Sequence, residues 1–195
     1  MKKSLYPKTQ RIKDEDTIIT EKLDGSNLWF FKIWWELIIA QRNNVFKLSE
    51  LTKENSYKWL KGWLEENKDK LDFCEWSWVF GEWIGMGKIS YWESLDKKFY
   101  IFAKANIDEH YDIRNLNYNL EFLKYPFESQ IIPSCIGVVP KIAYADDIWI
   151  DALNWLYEKL LEELQRPIEW FIVNNNNQIS KYVRHKNWTL TPHKS

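Results

Sequence analysis

Glu21-Lys22-Leu23-Asp24-Gly25-Ser26-Asn27 lies between two apolar runs. Thr17-Ile18-Ile19-Thr20 precedes it, and a second run begins at Leu28. β-branched residues favour the pleated surface of a sheet, so residues 17–23 and Leu28–Ile33 are expected as strands. A lysine at a strand end followed by Asp-Gly reads, by itself, as a hairpin turn beside a solvated cation. Any chemical reading of Lys22 has to come from partners elsewhere in the chain.

Working outward, Leu37–Gln41 reads as the return strand of a hairpin around Trp34-Trp35-Glu36, although that turn has no Gly or Asn. Arg42-Asn43-Asn44 makes a turn into Val45-Phe46. Residues 49–70 are helical in character, because Trp59, Leu60, Trp63 and Leu64 recur on one face. Strand character returns over Glu75–Ile84, where Trp76, Trp78, Phe80 and Glu82 share a face by the period of two, and again over Lys98–Ala103. A short helix is expected at 114–125 and extended chain at 131–142. Residues 146–164 form the clearest helix, opened by a capping Asp146 and stopped by Pro167. Ile168–Val173 and Gln178–Arg184 then form a hairpin about Asn174–Asn177, and 189–195 reads as a frayed tail.

Composition sets the bounds. A chain of 195 residues, 45% hydrophobic and 28% charged, suits one soluble globular domain, here 1–195. With 27 basic and 28 acidic residues it has no general attraction for polyanions, so nucleic acid would need a local patch. Cys74 and Cys135 are too far apart for a Cys-x-x-Cys site and point to a reducing, cytoplasmic setting. His110, His185 and His193 are scattered and read as surface or binding residues. The N-terminus has no apolar signal core, and the run from Leu28 to Ala40 is too short and too charged to span a bilayer. The 13 tryptophans are read as packing residues.

Six segments in order then resemble the RNA ligases of the covalent nucleotidyltransferase superfamily, the phage type in particular. Glu21–Asn27 is similar to motif I, whose lysine carries a nucleoside monophosphate. Ala40-Gln41-Arg42-Asn43-Asn44 resembles motif Ia, and Phe80-Gly81-Glu82-Trp83 resembles motif III. Lys98-Phe99-Tyr100-Ile101-Phe102 resembles motif IIIa, Ile168–Val173 stands in the place of motif IV, and Ser180-Lys181-Tyr182-Val183-Arg184 resembles motif V. The match departs at two places: Trp170 stands where the family has glycine, and Val183 where it has a second lysine.

The resemblance implies an α+β fold of two antiparallel sheets with flanking helices, an ATP-grasp-like adenylation domain. It implies a ligase that forms a lysyl-adenylate on Lys22, moves AMP to a 5′-phosphate RNA end and seals that end to a 3′-hydroxyl. Lys22 is the expected nucleophile. Glu21, Leu23, Asn27, Arg42, Glu82, Phe102, Lys181 and Arg184 are expected at the nucleotide, with Glu82 on the ribose and Phe102 stacked on the purine. Glu169 is expected near Mg²⁺ or Mn²⁺. The implied partners are ATP and RNA ends or a nicked duplex, the protein acting as a monomer without a membrane. The alternatives are a DNA ligase, a capping-type guanylyltransferase, or a nucleotide- or RNA-binding module that has lost catalysis.

The chemistry asks for these residue types. A lysine amine must be neutral to attack an α-phosphate, and from a reference pKa of ~10.4 that costs about 4.6 kcal/mol at pH 7. Nearby cations reduce the cost because like charge disfavours the ammonium form; Lys181, Arg42 and a divalent metal are the candidates. Asp24 works in the opposite sense and is expected to shape the turn or orient the leaving pyrophosphate. Each residue also has an ordinary reading: Arg42 in a turn, Phe102 in the core, Glu169 with Lys181 as a cross-strand pair. If Glu169 and Lys181 are to face together, paired residue numbers in the last hairpin must sum to an even value. A four-residue loop pairs Val173 with Gln178 and fails that condition, so a three- or five-residue loop or a bulge is expected.

Overall fold

A computed structural model describes residues 13–41, 44–74, 77–91, 94–106, 121–122, 132–147, 150–175, 178–184 and 190–192. In chain order these form β1 (Lys13–Lys22), β2 (Gly25–Ile33), β3 (Glu36–Gln41), β4 (Asn44–Lys47), α1 (Leu60–Asn67), β5 (Ser77–Ile84), β6 (Phe99–Asn106) and β7 (Glu121–Phe122), followed by β8 (Ile136–Val138), β9 (Lys141–Asp147), α2 (Ile150–Leu164), β10 (Trp170–Asn175), β11 (Gln178–Arg184) and β12 (Leu190–Pro192). Short 3-10 turns occupy Leu48–Glu50 and Lys68–Cys74. The fold is α+β, as expected. The chain divides into two compact units, Met1–Asp24 with Val139–Ser195, and Gly25–Val138. The division falls inside the Glu21–Asn27 stretch.

The first unit is a five-stranded sheet in the order β12-β11-β10-β1-β9, antiparallel at every pairing. Burial alternates along β1, with Thr17, Ile19 and Glu21 buried and Ile18, Thr20 and Lys22 only partly so. Ile19, Phe171 and Val173 therefore share one face, which packs with Leu153, Leu156, Tyr157 and Leu160 of α2. Gln165 leaves α2 at φ 50°, and Pro167 follows.

The second unit is a seven-stranded sheet in the order β4-β3-β2-β5-β6-β7, and β8 adds a parallel pairing to β6. Leu28, Phe30, Leu37, Ile39, Val79 and Trp83 face one core, with Leu60 and Leu64 of α1. Phe31, Ile38, Ala40, Trp78 and Phe80 form a cluster on the opposite face. Both faces of the central strands are apolar, hence the density of aromatics.

The hairpin reading of Asp24-Gly25 fails. β1 and β2 do not pair; they belong to different sheets. Gly25 keeps an ordinary φ and instead allows close approach, since a Cβ there would lie 2.4 Å from the Trp83 carbonyl oxygen. The helix expected over 49–70 is cut to α1. Thr52 N–H donates to Asn55 Oδ1 (2.7 Å), Asn55 N–H donates to Thr52 Oγ1 (3.2 Å), and Tyr57 N–H donates to the Gln41 side-chain oxygen (2.7 Å). These side-chain bonds take up backbone groups that a helix would use.

Three further expectations change. Asp146 is not a cap, because β9 runs on to Asp147, which pairs with Lys13, and α2 starts later. Glu121–Phe122 is a strand on the edge of β6; the rest of the expected 114–125 helix lies outside the described residues. Leu190–Pro192 pairs with β11 instead of fraying.

Candidate active site

β1 ends at Lys22, in register with Trp170 at the start of β10. Strand alternation puts Lys22 on the face opposite the α2 core. There its ammonium forms an ion pair with Glu169, and both side chains are partly exposed. Glu169 comes one residue before β10, outside the regular ladder. Trp170 goes the other way: its ring stacks on Tyr157 of α2 at 4.0 Å and 11° and meets Phe171 edge-on. Trp170 therefore helps to pin α2 to the sheet, while its neighbour Glu169 reaches Lys22.

Lys181 is aligned with Ile172, which is aligned with Thr20. It therefore shares the Lys22 face, two strands away and two residues back from the β1 end. The loop expectation is overturned. Asn175 pairs with Gln178, so only 176 and 177 lie between the strands, and the paired numbers have an odd sum. Glu169 still comes to the Lys22 face because alternation breaks at the start of β10, where Trp170 turns into the α2 core. Arg184 ends β11 opposite Leu190.

Glu21 faces the core and is only 2% exposed. Arg166 meets it with both terminal nitrogens: Nη1 donates to Oε1 and Nη2 to Oε2, each at 2.6 Å. The Glu21 N–H donates to the Pro140 carbonyl (2.9 Å). A bidentate guanidinium is the strong form of this contact. It ties the residue before Lys22 to the segment that leads into Glu169. Arg166 was not singled out from sequence, yet a signal existed: Glu21 alternates with Ile19, and a carboxylate on that face requires a cation. Leu23, next along, is buried.

In the second unit, Asn27 is aligned with Glu82 across β2 and β5, and both lie on the Trp78–Phe80 face. Phe102 packs against that same cluster. The β5–β6 register moves from Phe80–Ala103 to Gly81–Ile101, which leaves Phe102 as the extra residue of a β-bulge. Bulges re-aim side chains and are common beside active sites. Arg42 lies outside the described residues. Its neighbour Gln41 is buried, and its side-chain nitrogen donates to the Asn55 carbonyl (3.1 Å). Tyr57 Oη in turn donates to the Asn27 carbonyl (3.2 Å).

No curated protein matches the chain. Among solved structures, an RNA ligase of Naegleria gruberi aligns at 15% identity with a TM-score of 0.46, over 90% of this chain and 54% of that one. The chain thus spans about half the length of that ligase. The family model described as RNA ligase matches residues 15–177, from the strand that carries Lys22 through the whole of β10, and the chain belongs to the RNA ligase family.

Proposed function

We propose that the protein is an ATP-dependent RNA ligase that works through a lysyl-adenylate on Lys22. The observation that carries this reading is the Lys22–Glu169 ion pair at the β1 end, with Lys181 on the same face of the sheet. In the first step the Lys22 Nζ–phosphorus bond forms as the bond from the α-phosphorus to pyrophosphate breaks. The AMP then passes to an RNA 5′-phosphate, and a 3′-hydroxyl attacks that phosphate and releases AMP. Phosphoryl transfer rests on positioning and charge neutralisation, and Lys181 supplies a fixed cation for the transferring phosphate.

Glu82 and Asn27 receive the ribose, and Phe102, re-aimed by its bulge, stacks on the purine. Arg42, Leu23 and Arg184 complete the nucleotide contacts. Among the described residues no group of three or more His, Cys, Asp or Glu side chains gathers. Mg²⁺ or Mn²⁺ would be held by Glu169 together with triphosphate oxygens, a donor set of one carboxylate plus phosphates that suits Mg²⁺. Such an ion supplies charge neutralisation on the phosphates. The Lys22 amine leaves the Glu169 carboxylate before it attacks, so that contact has to open at each turnover.

Incubation with α-labelled ATP and Mg²⁺, followed by a denaturing gel, is expected to give a covalent label. Lys22→Ala is expected to abolish it. A label that survives this change would overturn the reading, and labelling by GTP alone would move the protein to the capping class.

A further inference from the structure

The Lys22–Glu169 pair stands at the open end of a ladder. Pairing between β1 and β10 stops at Lys22 and Trp170, and Glu169 lies one residue beyond that last rung. Ladder ends fray unless other contacts hold them. Here the incoming segment is anchored at alternate residues. Ile168 and Trp170 are buried in the α2 core, and the Arg166 side chain is only 10% exposed. Glu169, between the last two of these in sequence, stays partly exposed. Arg166 takes its anchor from Glu21, the residue before Lys22, through two contacts of 2.6 Å. The Glu21 backbone is in turn held by the Pro140 carbonyl.

These contacts form a closed circuit. From Lys22 it steps back to Glu21, crosses the bidentate pair to Arg166, follows the chain to Glu169 and returns to Lys22 through the ion pair. One link lies on the core face of the sheet and the other on the opposite face. A planar fork on a carboxylate fixes orientation as well as distance, whereas a single ammonium contact between partly exposed groups is weak. The stronger link therefore sets the geometry of the weaker one. We propose that Arg166 is a positioning residue for the reaction of Lys22: clamped to Glu21, it determines where Glu169 stands relative to the Lys22 amine. The inference rests on the ligase reading above, in which the Lys22–Glu169 contact opens at each turnover. Lys22 then moves away while the Arg166–Glu21 pair still holds Glu169 at the strand end. None of the six motifs includes Arg166.

Two measurements on Glu21→Leu/Arg166→Met test it, since this variant removes the clamp without leaving a buried charge. In the first, the protein is trace-labelled with acetic anhydride in the absence of ATP. Acetylation of Lys22 is read by peptide mass spectrometry against the exposed Lys53. Glu169→Gln sets the scale for a Lys22 released from its partner, expected about 2- to 5-fold above wild type. The double variant should rise at least halfway to that value. Leu153→Val, a core truncation at the opposite end of α2 from Arg166, should stay at the wild-type value. The second measurement is lysyl-adenylate formation with labelled ATP and Mg²⁺. Its rate at saturating ATP should fall about 10- to 100-fold in the double variant, the cost of a small misplacement, with the KM for ATP within about threefold. Arg166→Lys, which keeps the charge but loses the fork, should fall between wild type and the double variant in both readouts. Wild-type acetylation of Lys22 in the double variant would overturn the proposal. So would an equal loss of rate in Leu153→Val, which would make the effect one of stability, or a raised KM with an unchanged rate. If the wild type takes no label from ATP, the ligase reading falls, and the acetylation comparison still decides whether Arg166 sets the position of Glu169.

Discussion

A carboxylate on the apolar face of a strand survives only with a matched cation, and Glu21 has one in Arg166. Removing one partner of a buried pair leaves an uncompensated charge at a cost of about 3–5 kcal/mol, whereas removing both can be nearly neutral. Arg166→Gln is therefore expected to lower the unfolding midpoint by about 10 °C. Glu21→Leu/Arg166→Met should recover most of that loss, and calorimetry on the three proteins checks it. A double variant no better than the single would mean that Arg166 acts elsewhere. Cys74 gives a pH prediction at the same scale. Burial pushes its thiol from 9.0 up to about 12, and its Sγ–H donates to the Leu71 carbonyl at 2.8 Å. The folded chain keeps the proton where the unfolded chain gives it up. Stability from this group is complete below pH 9 and falls as pH rises from 9 towards 12, by up to about 4 kcal/mol. In urea melts between pH 8 and 10.5, the wild type should lose stability more steeply than Cys74→Ala. Parallel pH curves for the two would remove the thiol from the account.

The β2–β3 hairpin closes through Trp34-Trp35 alone, because Ile33 pairs with Glu36. Trp34 has φ 56°, the only positive value in that turn, which is the pattern of a type II′ turn that takes glycine at its first central position. Trp34→Gly is expected to raise stability by about 0.5–1 kcal/mol. A lowered melting temperature would show that the indole contributes more by its contacts than its backbone costs. The strands of this hairpin are legible in sequence as short, nearly continuous apolar runs, which is how strands buried on both faces read. Residues 49–70 misled because periodicity reports which side chains could share a face, not whether Thr52, Asn55 and Gln41 divert the backbone first. The start of α2 misled for a related reason: Asp146 is a good cap, but Lys13 draws the chain on as β9. At the candidate site, the linear motifs located Lys22, Glu82, Phe102, Glu169 and Lys181 on strands or directly beside one. The Glu21–Arg166 pair joins residues far apart in the chain, and the turn of Trp170 into the α2 core depends on Tyr157. Neither is written in any local pattern.

The two units make different demands on folding. Gly25–Val138 is contiguous, and its β2–β3 pairing closes across two residues. The first unit brings the two ends of the chain together, with Ile19 paired to Val173 about 150 residues away. Loop closure scales as (3/2)RT ln n. Joining ends about 150 residues apart costs about 3 kcal/mol more than closing a six-residue loop, before any apolar burial repays it. Non-local pairing is thus expected late, after the second unit has shortened the effective loop. Ile19 and Ile39 are both buried, and truncating either to valine costs about 0.5–1.5 kcal/mol. Ile39→Val should slow refolding, with at least half of its stability loss appearing in the folding rate. Ile19→Val should leave refolding unchanged and speed unfolding about 2- to 12-fold. Stopped-flow chevrons on the two variants separate the cases. If Ile19→Val slows refolding as much as Ile39→Val does, β1 and β10 are already paired in the transition state. The strand that carries Lys22 would then be part of the folding nucleus instead of the last piece to dock.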